Sequence, residues 1–117
     1  MGYNRRVPSR LNTVVETAPY IRDAQRIMTR DEQKAVVDLL AANPLAGVLV
    51  PDGGGIRKVR MPLDGRGKRG GARVIYFFQS ADHPVFLLAC FAKNEKADLT
   101  VAERRALAAA VKLWIRS

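Results

Sequence analysis

The chain has 117 residues, 48% hydrophobic and 26% charged, which fits one globular domain and argues against disorder or a coiled-coil rod. Its single cysteine, Cys90, rules out an intramolecular disulfide framework, and a lone cysteine holds no zinc without partners. The net charge of +9 is uneven: residues 1–10 hold Arg5, Arg6 and Arg10 without an acid, and residues 57–73 hold Arg57, Lys58, Arg60, Arg66, Lys68, Arg69 and Arg73 against Asp64 alone. Elsewhere acids and bases cancel. A positive field concentrated in this way attracts phosphate-rich partners. The longest apolar run, residues 85–92, is far too short to cross a membrane, and the basic start lacks the apolar stretch of a signal peptide. The expected setting is a reducing cytoplasm, with no membrane partner.

In chain order, residues 1–10 read as a flexible basic arm and 11–117 as a single domain. Thr13, Val14 and Val15 suggest a short strand within residues 11–16. Thr17 is placed to cap a helix from Ala18, with Ile21, Ala24, Ile27 and Met28 at helical spacing. Thr29-Arg30-Asp31-Glu32 is a capping box, and its helix presents Val36, Val37, Leu39 and Leu40 before stopping near Asn43-Pro44. Residues 56–63 alternate, with Val59, Met61 and Leu63 on one face and Lys58 and Arg60 on the other, which predicts a strand with an apolar and a basic side. Residues 72–80 and 84–92 are β-branched and aromatic throughout, as central strands covered on both faces are. Residues 81–83 are too few for a helical crossover, so these two strands pair as an antiparallel hairpin. Thr100-Val101-Ala102-Glu103 is a second capping box, opening a helix with Leu107, Ala110, Val111 and Trp114 on one face. The predicted class is α+β, helices packed on a small antiparallel sheet with a C-terminal helix.

Gly65-Arg66-Gly67-Lys68-Arg69-Gly70 matches G-x-G-x-x-G in letters only. A strand follows it, whereas dinucleotide binding needs a helix N-terminus there. It reads instead as a hairpin loop whose Arg66, Lys68 and Arg69 can track a phosphate backbone. Lys58, Arg60 and Arg73 form the sharper constellation. The first two share a strand face, and Arg73 begins the next strand across the glycine loop, so all three can converge. Arg73 adjoins a buried strand and therefore calls for an anionic partner, of which Asp64 is nearest in sequence. His83 reads as a turn residue, Cys90 as inert packing and Trp114 as core.

The runs Gly54-Gly55-Ile56-Arg57-Lys58-Val59-Arg60, Gly65 to Tyr76 (Gly-Arg-Gly-Lys-Arg-Gly-Gly-Ala-Arg-Val-Ile-Tyr) and Ala92-Lys93-Asn94-Glu95-Lys96-Ala97-Asp98-Leu99 resemble the RelE/HigB toxin family of bacterial type II toxin–antitoxin systems, in its HigB-like branch. The resemblance covers residues 11–117. It implies a RelE-like fold and a metal-independent, cofactor-free endoribonuclease that cuts mRNA in the ribosomal A site and so inhibits translation. It also implies a cognate antitoxin, a small helix-turn-helix protein. Lys58 and Arg60 match the family's basic pair, and Arg73 its arginine on the next strand, which implies a catalytic trio. Arg57, Arg66, Lys68, Arg69, Lys93 and Lys96 are the matching candidates for RNA or ribosome contact. Where some relatives carry a C-terminal tyrosine, this sequence has Leu99 and Thr100.

Metal-free cleavage of RNA needs a base for the 2′-hydroxyl, cations for the phosphorane and an acid for the leaving 5′-oxygen. A lysine crowded by like charges gives up its proton more readily, which suits Lys58, flanked by Arg57 and Arg60, to the base role. Arg60 and Arg73 then clamp the phosphate. Two other classes compete: a non-catalytic toxin of the same fold, resembling the gyrase-poisoning ParE branch, and a plain RNA-binding module.

Overall fold

Capping and alternation set most of the elements. The computed structural model describes residues 11–64 and 70–116. In chain order these form β1 (Val14–Glu16), α1 (Ala18–Ile27), α2 (Arg30–Ala42), β2 (Val48–Leu49), β3 (Ile56–Met61), β4 (Ala72–Phe77), β5 (Val85–Ala92) and α3 (Val101–Arg116).

Helix α1 starts at Thr17, with a proline in the first turn, where a missing amide donor costs nothing. The Thr17 hydroxyl does not cap the helix. It donates to the Leu87 carbonyl at 2.7 Å and so ties the helix start to β5. The buried stripe of α1 is Tyr20, Ala24 and Ile27, whereas Ile21, expected on the inner face, is 37% exposed. Both spacings fit a helix, and the one that buries the large tyrosine ring prevails. Helix α2 has the full capping box: Glu32 N donates to the Thr29 hydroxyl at 3.1 Å, and Thr29 N to the Glu32 carboxylate at 2.8 Å. It ends at Asn43, where the following proline disfavours a further helical residue.

The sheet order is β1-β5-β4-β3-β2. Pairs β2/β3, β3/β4 and β4/β5 are antiparallel as expected, but β1 runs parallel to β5, so the sheet is mixed. The reason is topological. Helices α1 and α2 carry the chain from β1 to the far edge, which leaves β1 free to lie along β5 in the same direction. Strand β2, with only two residues, is too short to show a periodicity and was not predicted.

Helices cover both faces. On one side, α1 and α2 pack Tyr20, Ala24, Ile27, Val36 and Leu40 against Val59, Met61, Val74, Tyr76 and Leu87. On the other, Val111 and Leu107 of α3 pack with Ile56, Ile75, Phe77, Leu88 and Phe91. Strands β4 and β5 are therefore central and doubly covered, as their composition implied. Tyr76 also pins the turn after α2: its hydroxyl donates to the Pro44 carbonyl and accepts from Gly47 N, both at 2.8 Å.

Candidate functional site

Strand alternation decides which cations share a face. In β3, Ile56, Lys58 and Arg60 point to the α3 side, while Arg57, Val59 and Met61 point to the α1/α2 side. Arg60 lies directly opposite Arg73 of β4, and Lys58 opposite Ile75. Directly opposed residues of an antiparallel pair hold their Cβ atoms about 4.5–5.5 Å apart, and like charges so placed repel each other. A cavity of about 240 Å³ is lined by Gly47, Val48, Lys58, Arg60 and Arg73 among others. The packed part of the α3 face lies at Ile56, Ile75 and Phe77, so the three cations occupy the end of this face beyond the α3 core.

Each cation is held differently. Arg60 is exposed. Arg73 is half-buried, and its Nη1 donates to the Gly70 carbonyl at 2.7 Å. The acid expected beside it is placed elsewhere, for Asp64 donates its backbone N to the Glu32 carboxylate at 2.7 Å. The carbonyl does the work of an anion because Gly70 turns it back toward the strand start, with the residue at φ +78°. Lys58 has the carboxylate, its Nζ lying 3.1 Å from both Oδ1 and Oδ2 of Asp98. Asp98 was absent from the sequence-derived site, although it belongs to the Lys93-to-Leu99 motif. Partial burial works against its charge, but the Leu99 amide at 2.8 Å and the Lys58 ammonium outweigh this and hold its carboxyl below the usual range.

The remaining candidates divide. Arg57 faces away from the trio and donates to the Gly47 carbonyl at 2.8 Å, so it braces the turn before β2. Lys93 packs its stem close to Gly70 and donates to the Ala97 carbonyl at 3.0 Å, which places it at the Arg73 end of the sheet. Lys96 pairs with Glu103 and lies 5.4 Å from the centroid of Phe91, the cross-strand neighbour of Arg73. Arg66, Lys68 and Arg69 lie outside the described residues, as does the basic arm. His83 belongs to the turn: its N donates to the Ser80 carbonyl at 3.0 Å, and its Nδ1 lies 3.0 Å from the Ser80 hydroxyl. Cys90 is buried, and burial pushes its thiol up to about 12, which makes it unreactive at neutral pH. Trp114 is less buried than expected, at 36% exposure, and stacks on Phe86 at 5.3 Å. Among the described residues, no cluster of histidine, cysteine or acid side chains is arranged to hold a metal. Nor is any of their helices long and apolar enough to cross a membrane.

The start of α3 is fastened to the sheet by these charges. Glu103 accepts from Lys96 and from the Thr100 amide, and both interactions hold its carboxyl below the usual range. A carboxyl lowered in the folded state stabilises the fold above its unfolded value and loses that contribution as pH falls through the folded one. The Tm should therefore stay level from neutral pH to near the ordinary glutamate value of 4.5 and fall below it. Thermal melts of the parent and Glu103→Gln across that range check this. The variant should melt lower at neutral pH and show a shallower acid loss.

Two comparisons bear on this geometry. A chain of the crystal structure of the RelBE2 toxin–antitoxin complex from Mycobacterium tuberculosis is similar in fold, with a TM-score of 0.52 and 24% identity over 77% of this chain and 97% of that one. The family model described as the RelE toxin of the RelE/RelB toxin–antitoxin system matches residues 22–116, a span that includes α2, all three site cations and α3. The chain is a member of the RelE toxin family.

Proposed function

We propose that this toxin is a ribosome-dependent endoribonuclease and that Lys58, Arg60 and Arg73 form its phosphate site. The observation that carries the reading is the direct opposition of Arg60 and Arg73 across β3 and β4, with Lys58 on the same face. Two cations held face to face repel each other, and a phosphate between them turns this cost into binding. Cleavage forms a bond from the 2′-oxygen to phosphorus and breaks the bond to the 5′-oxygen; the 2′-hydroxyl proton passes to water and the leaving 5′-oxygen takes one from water, while negative charge grows on the non-bridging oxygens. Arg60 and Arg73 stabilise that charge, and the Gly70 carbonyl fixes the Arg73 guanidinium beforehand. The base role for Lys58 rested on like charges around it. Asp98 supplies an opposite charge there, so we assign Lys58 to the clamp as its third cation. A cation clamp without strong acid–base groups depends on its substrate being oriented for it, which is the service a ribosome gives to mRNA. The antitoxin partner and a cytoplasmic site of action follow from the same reading.

Expression of the chain alone should arrest bacterial growth, with mRNAs cut inside translated regions. Mapping RNA 5′ ends after induction checks this. Growth arrest with intact mRNA and accumulating DNA breaks would instead establish the gyrase-poisoning alternative.

A further inference from the structure

We propose that Asp98 is a specificity-determining residue: its carboxylate holds the Lys58 ammonium and competes with phosphate for it, so that free RNA binds poorly. The inference rests on the reading of Lys58, Arg60 and Arg73 as the phosphate site. The two Asp98 oxygens meet the Lys58 ammonium at equal distances of 3.1 Å, much as two non-bridging phosphate oxygens would. Asp98 is fixed in that place by its own backbone, since Oδ1 also accepts from Leu99 N at 2.8 Å at the entrance to α3. It is also the outer partner, its side chain 51% exposed against 26% for Lys58. A phosphate that is to take the Lys58 ammonium has to compete with this carboxylate for it.

Binding RNA then has a penalty. The phosphate must part Lys58 from Asp98 and afterwards sit beside a second anion. A repulsive group of this kind discriminates between ligands that differ in how much other binding energy they bring. A free strand has only its few phosphate contacts to offset the penalty. An mRNA already held by a larger assembly arrives oriented and needs no such offset. A purely structural role for the Lys58–Asp98 pair would tie α3 to β3 and leave RNA affinity alone.

Asp98→Asn separates the two. Asparagine keeps the carbonyl oxygen that accepts from Leu99 N and removes only the charge. The assay is fluorescence anisotropy with a short 2′-O-methylated oligoribonucleotide, which cannot be cleaved, over a range of salt concentrations. Asp98→Asn in the full chain should bind about three- to tenfold tighter, as expected when one like charge a few ångströms away is removed. Its salt dependence should steepen by roughly 0.7 in logarithmic slope, because Lys58 is then free to neutralise one more phosphate of a single strand. Arg60→Ala, measured alongside, should bind more weakly than the parent. If Arg60→Ala weakens binding while Asp98→Asn leaves affinity and slope unchanged or lowers them, the role given to Asp98 is wrong and the phosphate site stands. If Arg60→Ala binds like the parent, the phosphate site itself is wrong.

Discussion

Arg60→Ala should fold, melt near the parent and still bind ribosomes, yet cleave ribosome-held mRNA about 10²–10³-fold more slowly, the usual cost of removing one transition-state donor. Arg60 is exposed, and the same strand buries Ile56, Val59 and Met61, so truncating it opens no cavity. Lys58→Ala should lose a comparable factor. Its pair with Asp98 is half-exposed, and such pairs contribute about 0–1 kcal/mol, so the fold tolerates the loss. Arg73 is a less clean probe, because its contact with the Gly70 carbonyl also orders the start of β4. Single-turnover cleavage on programmed ribosomes, with binding assayed in parallel, measures the split. A plain RNA-binding module would show the opposite pattern, with binding reduced and no reaction to lose. Cleavage by both variants within a few-fold of the parent would move the site elsewhere, first to Lys93 and Lys96.

What the sequence revealed, and what it hid, follows the range of each interaction. Both capping boxes were readable because the four residues that make each one are adjacent in the chain. Alternation in β3 placed Lys58 and Arg60 on one face, and the glycine loop brought Arg73 to them. The parallel pairing of β1 with β5 joins residues some seventy positions apart, and no local pattern encodes it. A sequence suggests an acid as the partner of Arg73, since side-chain chemistry is visible in it and the aim of a backbone carbonyl is not. Asp98 lies 40 residues from Lys58, beyond the end of β5, and no local pattern links the two. One signal was available there. Asp98 stands two residues before the Thr100 cap, so it is held at a helix entrance beside a strand end, a place where a fixed carboxylate meets the sheet's cations.

Gly71→Ala should be among the most damaging single-methyl substitutions, and it should disable the site through the backbone rather than through any lost side chain. Gly71 has φ +68°, where an L-residue costs about 1–2 kcal/mol. A Cβ there would also lie 2.2 Å from the Met61 carbonyl oxygen, a backbone atom that cannot rotate aside. Relieving it means moving the end of β3 away from the start of β4, and strain of that kind in a packed region costs a further 1–3 kcal/mol or so. The sum, roughly 2–5 kcal/mol, is a large share of the stability of a domain this size. The moving parts adjoin the site, since Met61 follows Arg60 and pairs with Ala72, which precedes Arg73. Gly70→Ala is the control. It shares the positive φ, at +78°, but its new methyl would meet no backbone atom: the Cγ of the exposed Lys93, at 2.9 Å, moves with a change of rotamer, and the Cβ, at 3.1 Å, has to give by only a little. Urea unfolding should therefore show Gly71→Ala losing at least twice what Gly70→Ala loses. Under conditions where both are folded, only Gly71→Ala should also lose cleavage. Equal losses in the two variants would mean that the Met61 carbonyl yields, and that the spacing of Arg60 and Arg73 does not depend on this close approach.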